Sequence, residues 1–377
     1  MPRSQRILLL SVSAGAGHSR AAEALRAEAQ ASFPHVEAKH VDVMNLVPAS
    51  FRKLYADYYI KIVEHHPSVW AYLYHATDKM PRDALFAKLR RAVERLNTRQ
   101  LRGAIREFAP DHIICPHFLP AELLAHEIKR RRSAAPVWVQ VTDFDLHRMW
   151  VQPGMHGYFA ANEEIAFRMA ARGIPEKSAH VTGIPIMPAF SQRLDRDECA
   201  REIDAAPDRM TLLLMTGGAG LAGGEAMIER LLRLSANFQI IALAGENAQL
   251  LAKYRSLAAS HPGRVFPLGF TSTVERLMAC ADLAVTKPGG LTVSECLAVG
   301  LPMVLIAPIP GQEERNADYL TEQGVALKAL DMVALEYKIA QLLRLPEQLK
   351  RMRENMGGLG CPGAARAVLN HVLGGEG

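Results

Sequence analysis

The chain has 377 residues and a net charge of +5, and 49% of its residues are hydrophobic while 22% are charged. This length exceeds one small hydrophobic core and predicts two domains, with a composition typical of globular proteins. The charge excess is too small to identify a partner, and no apolar run reaches the ~20 residues that span a bilayer, so any membrane contact is expected to be peripheral.

The five cysteines are scattered along the chain and form no CxxC pair. This spacing argues against a disulfide framework and a zinc knuckle and favours a reducing compartment, so we expect a cytoplasmic protein. Residues 1–12 superficially resemble a signal peptide, but their apolar run is very short and leads directly into a Gly-rich turn. A buried first strand is therefore the predicted structure there.

The first strand, predicted over residues 7–13, is followed by a Gly-rich turn and by a helix over residues 21–31. Gly15 and Gly17 suggest a dinucleotide-binding turn, but the third glycine of that fingerprint would fall at Arg20. The fingerprint is therefore incomplete, and an NAD site is an alternative that the sequence does not favour.

Residues 51–110 combine positive charge with aromatic side chains. They hold twelve Lys and Arg residues against six Asp and Glu residues, together with nine aromatic residues. Basic side chains with Tyr and Trp suit the headgroup region of an anionic bilayer, whereas a solvated helix pair with packed aromatic residues is the alternative. Because no recognised nucleic-acid motif accompanies the charge, nucleic acid is not an expected partner.

A strand predicted over residues 136–141 runs into the sequence Thr142-Asp143-Phe144-Asp145-Leu146-His147-Arg148-Met149-Trp150. Open α/β sheets place ligand-binding residues at the carboxyl ends of their strands, so Asp143 and His147 are expected to face a cleft. A turn or helix cap is the alternative role for Asp143. The Asp143-x-Asp145 pair also resembles a metal-binding motif of a different fold, and for that reason we expect no metal site.

Glycine and polar residues also follow the strands of the second half. Residues 216–220 follow a strand over residues 211–215 and consist mostly of backbone, which can cradle negative charge without a cation. An apolar strand over residues 283–285 ends at a Pro-Gly-Gly turn, and the helix after it offers free N–H groups to an anion. Glu295, one turn into that helix, can accept hydrogen bonds from a ribose diol.

The next strand, over residues 302–307, leads through a Pro-rich loop to a helix that opens with Gln312 and Glu313. Amide and carboxylate side chains suit the hydroxyl groups of a sugar. A single Gly-Gly turn is ordinary in a βαβ unit, but polar residues at two successive strand ends favour a ligand site.

These motifs resemble glycosyltransferase family 28, and most closely its monogalactosyldiacylglycerol synthases and processive diacylglycerol glucosyltransferases. A more distant relative is the transferase that adds N-acetylglucosamine to the peptidoglycan lipid precursor. The likeness is carried by the Gly-rich turn before His18, by the pattern T-D-[FY]-x-x-H-x-x-W at residues 142–150 and by the donor-side segments above. It implies an α/β protein with the GT-B fold, in which two Rossmann-like doubly wound domains face a cleft.

The domain limits expected from this resemblance follow the chain in order. They are 1–182 for an acceptor-binding, membrane-facing domain, 183–208 for a linker, 209–360 for the UDP-sugar-binding domain, and 361–377 for a C-terminal helix able to cross back to the first domain.

The resemblance also implies the site residues. His18 would be the general base at a helix start, with Asp143 either orienting it or acting as the base itself, whereas a capping or packing histidine is the alternative for His18. The other acceptor-side residues would be Gly17, His147 and Trp150. The donor-binding residues would be Gly217, Gly218, Ala219, Phe270, Thr271, Gly289, Gly290, Leu291, Thr292, Glu295, Gln312, Glu313 and Asn316.

The implied reaction transfers a hexose from a UDP-sugar to a lipid acceptor, diacylglycerol, with inversion at the anomeric carbon and with no metal or cofactor besides the donor. It would take place at the inner face of the cell membrane, where residues 51–110 would contact anionic lipid. The alternatives are transfer of N-acetylglucosamine to another lipid or natural product, a UDP-sugar epimerase of the same fold, and a catalytically silent UDP-sugar binder.

Overall fold

The computed structural model describes residues 4–13, 15–46, 99–130, 135–215 and 223–374. The chain divides into two compact units, and each of them combines segments that are distant in the sequence. The first unit comprises residues 1–188, 309–315 and 363–377, and the second comprises residues 189–308 and 316–362. The contiguous domain limits expected from the sequence stay a prediction.

The first unit is built on a six-stranded parallel sheet in the order β2-β1-β3-β4-β5-β6. Its strands are β1 (Gln5–Ser11), β2 (Val36–Asp42), β3 (His112–Cys115), β4 (Val137–Gln140), β5 (Gly157–Ala160) and β6 (Ala179–Val181). Ile7 to Leu10 of β1 are fully buried, because helices cover both faces of a parallel sheet and leave no polar face.

The helices of the first unit surround this sheet. They are α1 (Ala16–Ser32), α2 (Phe118–Lys129), α3 (Glu163–Ala171) and, near the end of the chain, α12 (Ala364–Leu373), and residues 99–108 are also helical. The hydrophobic core of this unit joins Leu9 of β1 and Leu25 of α1 to the buried face of α12, which contributes Val368 and Leu369. An ion pair between Arg366 of α12 and Glu28 of α1, 2.7 Å from Nε to Oε1, lies beside that core.

The second unit repeats the plan with a sheet in the order β12-β11-β10-β7-β8-β9. Its strands are β7 (Met210–Met215), β8 (Phe238–Leu243), β9 (Val265–Leu268), β10 (Leu283–Thr286), β11 (Met303–Ile306) and β12 (Ala326–Ala329). Its helices are α4 (Arg196–Arg201), α5 (Gly224–Leu232), α6 (Ala248–Ser260), α7 (Val274–Cys280), α8 (Gly290–Val299), α9 (Gln312–Glu322), α10 (Met332–Arg344) and α11 (Pro346–Asn355), and the first turn of α9 is grouped with the first unit. The predicted α/β class with two doubly wound sheets is confirmed.

Both strand orders reverse direction beside the first strand of their unit. In the first sheet the chain moves outward from β1 to β2 and then returns to place β3 on the other side of β1. In the second sheet the same reversal separates β7 from β10. Such a switch point opens a crevice at the carboxyl ends of the two strands, which is where open α/β sheets bind ligands.

Two observations concern the described residues alone. Within them, no helix combines the length and the hydropathy that crossing a bilayer requires. The same residues contain no group of three or more His, Cys, Asp and Glu side chains that could hold a metal ion.

Most of the basic, aromatic segment 51–110 lies outside the described residues, as do Gly217, Gly218 and Ala219.

Candidate active site

His18 lies at the switch point of the first sheet. β1 ends at Ser11, and the chain enters α1 through Gly15, whose φ of +90° belongs to a region that residues with a Cβ rarely adopt. Gly17 and His18 then fall in the first turn of α1, and His18 is half-buried. The Gly-rich turn therefore delivers an imidazole to the crevice between β1 and β3.

The contacts of His18 fix which ring nitrogen carries the proton. Nδ1 of His18 lies 3.0 Å from the carbonyl oxygen of Pro116 and 2.9 Å from Oγ1 of Thr142. Because a carbonyl oxygen can only accept, Nδ1 must donate to Pro116. The neutral ring then keeps its lone pair on Nε2, which is the atom available to take a proton from a substrate.

Burial keeps this ring neutral. Loss of hydration lowers the pKa of His18 to about 4, and the hydrogen bond to the Pro116 carbonyl opposes that shift only in part. At neutral pH His18 is therefore unprotonated, as a general base must be.

A second histidine, His117, packs edge-on against His18, with the ring centroids 4.5 Å apart and the planes at 89°. It is the N-cap of α2, and its Nδ1 accepts the backbone N–H of Leu119 at 3.0 Å. No sequence motif gave His117 a role. The feature that could have indicated its role is its position shortly after the end of β3. In the sheet, β3 is the neighbour of β1, the strand that leads into the Gly-rich turn.

The loop after β4 supplies the remaining residues around His18. Thr142 contacts the ring directly, and Asp143 is half-buried beside it in the chain. The buried Nδ1 of His147 accepts the N–H of Met149 at 3.2 Å and caps the short turn that ends at Trp150. The Trp150 ring lies 6.3 Å from the ring of His18. Of the predicted acceptor-side residues, His147 therefore caps this short turn, and Trp150 places its ring beside His18.

Asp145 has a different role from the one that a D-x-D metal motif would give it. Its buried carboxylate pairs with the guanidinium of Arg315, also in the first unit, and lies 3.6 Å from Nη1 of Arg168. Charge-assisted pairing with two guanidinium groups occupies this carboxylate. The sequence motif did not predict these two arginine partners of Asp145.

The switch point of the second sheet carries the Pro-Gly-Gly turn. β10 ends at Thr286 beside Met215, the last residue of β7, and α8 begins at Gly290 with Gly289 as its N-cap. Because the N-cap is a glycine, no N-cap side chain accepts from the backbone N–H groups of the first turn. Such N–H groups at a helix start are candidates for binding an anion. The Ser294 hydroxyl donates to the Gly290 carbonyl at 2.7 Å and does not compete for those groups.

The residues predicted to contact ribose and phosphate lie on α8. Thr292 is half-buried, and Leu291 and Glu295 are buried, with Glu295 only 5% exposed. In the loop after β9, Phe270 is 67% exposed, and the Thr271 hydroxyl accepts the N–H of Thr273 at 3.1 Å. The roles of these residues in binding uracil and ribose stay predictions.

The start of α9 is held by its own carboxylates. Oε2 of Glu313 accepts the N–H of Ile309 at 2.7 Å, and Oε2 of Glu314 accepts the N–H of Gly311 at 3.0 Å. Gly311 has a φ of +89°, and Gln312 beside it is half-buried. Glu313 therefore shapes the loop predicted to meet the hexose.

Asn316 fixes the Pro-Gly-Gly turn. It is 0% exposed, and its Nδ2 donates to the Pro288 carbonyl at 3.1 Å. This amide is directed at the turn that precedes α8, so its contribution to donor binding would pass through the shape of that turn.

Two family models match successive parts of the chain. Residues 18–186 match the model described as monogalactosyldiacylglycerol (MGDG) synthase, and residues 222–365 match the glycosyltransferase family 28 C-terminal domain. The first match begins at His18 and includes the loop after β4, and the second includes the start of α8 and α9.

Known proteins resemble the chain over nearly its whole length. A processive diacylglycerol beta-glucosyltransferase of Bacillus licheniformis is 25% identical over 99% of this chain and 96% of its own. Among solved structures, MurG of Acinetobacter baumannii superposes with a TM-score of 0.66 at 15% identity, over 98% of this chain and 99% of that one. A UDP-GlcNAc 2-epimerase from Neisseria meningitidis gives 0.62 at 12% identity, over 98% and 100%. The fold is thus shared by transferases and epimerases.

Proposed function

We propose that this chain, a member of glycosyltransferase family 28 whose residues 18–186 match the monogalactosyldiacylglycerol synthases, transfers a hexose from a UDP-sugar to the hydroxyl of diacylglycerol. The observation that carries the proposal is the contact between Nδ1 of His18 and the carbonyl oxygen of Pro116. This contact leaves Nε2 unprotonated at the switch point of the first sheet. A UDP-sugar binder without activity has no use for a base held in this way.

In the proposed reaction, Nε2 of His18 takes the proton of the acceptor hydroxyl as its oxygen attacks the anomeric carbon. The bond between that carbon and the UDP oxygen breaks, so the sugar is transferred with inversion. The half-buried ring is neutral beforehand, since loss of hydration holds the pKa of His18 at about 4.

The negative charge that develops on the departing UDP would be stabilised by main-chain amides. The uncapped first turn of α8, with Gly289 and Gly290, supplies N–H groups that need no reorganisation during the reaction. We assign the same role to Gly217, Gly218 and Ala219, which follow β7 in the sequence, and we assign Thr292 to phosphate and Glu295 to ribose. Gln312 and Glu313 would contact the hexose.

Asp143 has two possible roles in this proposal, and substitution separates them. It follows Thr142, whose Oγ1 lies 2.9 Å from Nδ1 of His18, so it is close enough in the chain to orient the base. If it orients His18, Asp143→Asn retains more transfer activity than His18→Ala. If Asp143 is itself the base, Asp143→Asn is the more damaging of the two.

We further propose that the protein works at the inner face of the cell membrane. The support is the charge and aromatic content of residues 51–110 and the lipid acceptor in the names of its relatives. Flotation with vesicles of anionic lipid tests this directly, because binding through Lys and Arg should weaken as salt is raised. Equal binding to neutral vesicles at high salt would contradict it.

The reaction itself is tested with radiolabelled UDP-glucose, UDP-galactose and UDP-N-acetylglucosamine, each mixed with liposomes that contain diacylglycerol. We expect a labelled glycolipid on thin-layer chromatography with at least one hexose donor. His18→Ala should reduce its formation about 10²- to 10⁴-fold, while UDP still binds by calorimetry. His35→Ala, on an exposed histidine of the same unit, is the matched control.

The same panel distinguishes the alternatives. An epimerised sugar formed from UDP-hexose without lipid would identify an epimerase, and a product only with UDP-N-acetylglucosamine would change the donor. No labelled lipid with any donor, despite UDP binding, would refute the proposed function.

A further inference from the structure

The segment that follows β3 contacts His18 twice. Pro116 supplies the carbonyl that accepts from Nδ1 of His18, and the next residue, His117, places its ring edge-on against the same imidazole. Because the two contacts come from consecutive residues, any movement of this segment displaces both. His18 is therefore held by a dipeptide 98 residues away in the sequence.

The two histidines hold opposite tautomers. His18 donates through Nδ1, so its Nε2 is unprotonated. His117 accepts through Nδ1 from the Leu119 N–H, so its own proton is on Nε2. Burial together with the nearby His18 lowers the pKa of His117 well below its ordinary value, so both rings are neutral and neither repels the other.

His117 is itself fixed by aromatic neighbours. It is 3% exposed, and its ring lies 4.2 Å from that of Phe118 and 6.3 Å from that of Trp150. Phe118 and Trp150 contact each other at 5.9 Å in an edge-on arrangement. The ring of His117 therefore packs among the rings of His18, Phe118 and Trp150, and His18 is the residue through which it can affect the proposed reaction.

We infer that His117 is a positioning residue for the proposed transfer reaction, whose ring holds the His18 imidazole in one orientation and keeps water away from it. This inference rests on the function proposed above. It extends that function to a side chain whose hydrogen bond, taken alone, would mark it as a helix cap.

The alternative, that His117 only caps α2, is tested by replacing it with residues that cap equally well. Asn and Ser are preferred N-cap residues and accept the same backbone N–H, but neither fills the space of an imidazole. His117→Asn and His117→Ser therefore preserve the helix start and remove the ring. His126→Asn, on a half-buried histidine later in α2, is the matched control.

We expect both capping variants to fold, with a lower melting temperature because a buried ring is lost. We expect them to lower kcat about 10- to 100-fold with little change in KM for the UDP-sugar, because a misplaced base costs rate and not donor affinity. Water entering the vacated space should also raise the pKa of His18 from about 4 towards 6.5. The acid limb of the rate profile then moves to higher pH. The other titratable or charged groups near His18 in these elements are Asp143, Asp145, His147 and Arg148 on the loop after β4 and Arg20 and Glu23 on the first turns of α1. They are unchanged in these variants.

Nitrogen-15 NMR of selectively labelled histidines gives a readout that needs no activity. In the unmodified protein we expect protonated Nδ1 on His18 and protonated Nε2 on His117, and in His117→Asn a higher pKa for His18. If these signals behave as expected while no donor yields a glycolipid, the proposed function fails and the positioning of His18 stands. If kcat and the titration of His18 in both capping variants match those of the unmodified protein, His117 is a cap only and the inference is overturned.

Discussion

At the scale of single residues, the crevice of the first unit is set by hydrogen bonds that cross long stretches of sequence. A strand followed by Gly15, Gly17 and a histidine indicated a functional turn, and that much was visible locally. The acceptor of Nδ1 and the ring beside it come from the end of β3, and no local pattern connects that end to His18. The residue types were therefore predictable, whereas the tautomer and the role of His117 required the sheet order.

The low pKa of His18 leads to a prediction for the pH profile. Only the neutral ring can accept a proton, so activity is present above the pKa of His18 and is lost as the pH falls through it, at about 4. We expect kcat/KM for transfer to show no inflection near pH 6.5, the ordinary value for histidine. Initial rates of UDP release between pH 5 and 8 at constant ionic strength measure this. A half-maximal rate near pH 6.5 would contradict it.

Asn316 leads to a second prediction at this scale. Asn316→Ala removes the donor to the Pro288 carbonyl in a site with no exposure, which should cost about 1–3 kcal/mol of unfolding free energy. Because Pro288 precedes the uncapped start of α8, UDP affinity should fall as well. Urea unfolding and calorimetry with UDP measure the two effects, with Asn370→Ala on α12 as the control. If the UDP affinity of Asn316→Ala did not fall, the shape of the turn would have no effect on donor binding.

At the scale of elements, the strands were easier to predict than the positions at which helices pack against them. β1 and β10 are short apolar runs buried on both faces, and their turns follow directly in the sequence. α12 gives no comparable signal about its position, because its apolar face would suit the cover of either sheet. The structure packs that face against α1 and β1, through Val368 and Leu369.

A histidine pair ties the last turn of α12 to the edge strand of its sheet. The rings of His180 on β6 and His371 on α12 lie 4.4 Å apart, and both contact Phe159. Burial, followed by the nearby His371 and His156, lowers the pKa of His180. The unfolded chain therefore takes up this proton at a higher pH than the folded chain does. The stability that depends on neutral His180 is present above about pH 6.5 and is lost as the pH falls below it.

His371→Asn should reduce that loss, because the folded-state pKa of His180 then moves closer to its unfolded value. We expect a smaller decrease in urea midpoint between pH 7.5 and 5.5 for this variant than for the unmodified protein. His35→Asn, which alters a histidine far from the pair in the sequence, serves as the control. The same decrease in all three proteins would show that the pair does not contribute.

At the scale of the whole molecule, the two units have separate hydrophobic clusters with no residue in common. The proposed UDP contacts on α8 are in the second unit, whereas all three tryptophans, Trp70, Trp138 and Trp150, fall within the sequence of the first. Tryptophan fluorescence therefore reports on the first unit, and calorimetry reports on both.

UDP should stabilise the second unit by mass action, by about 2.7 kcal/mol at 100 times its dissociation constant. We expect the calorimetric transition of that unit to rise with UDP while the tryptophan transition moves much less. EDTA should leave the shift unchanged, since the proposed phosphate contacts are main-chain amides and Asp145 is already paired with arginines. A shift seen only with a divalent cation would contradict this assignment of the phosphate contacts.

The position of α12 has a consequence for how the protein is made. A ribosome produces β1 and α1 early, but it must synthesise the whole second unit before residues 364–373 emerge to cover them. Domains usually fold as they appear, with the N-terminal one first. Until residues 364–373 emerge, the part of the first unit's core that Val368 and Leu369 cover stays exposed, although the second unit can already be complete. A chaperone would then be needed to bind this exposed surface on the growing chain. The folded enzyme would not need one.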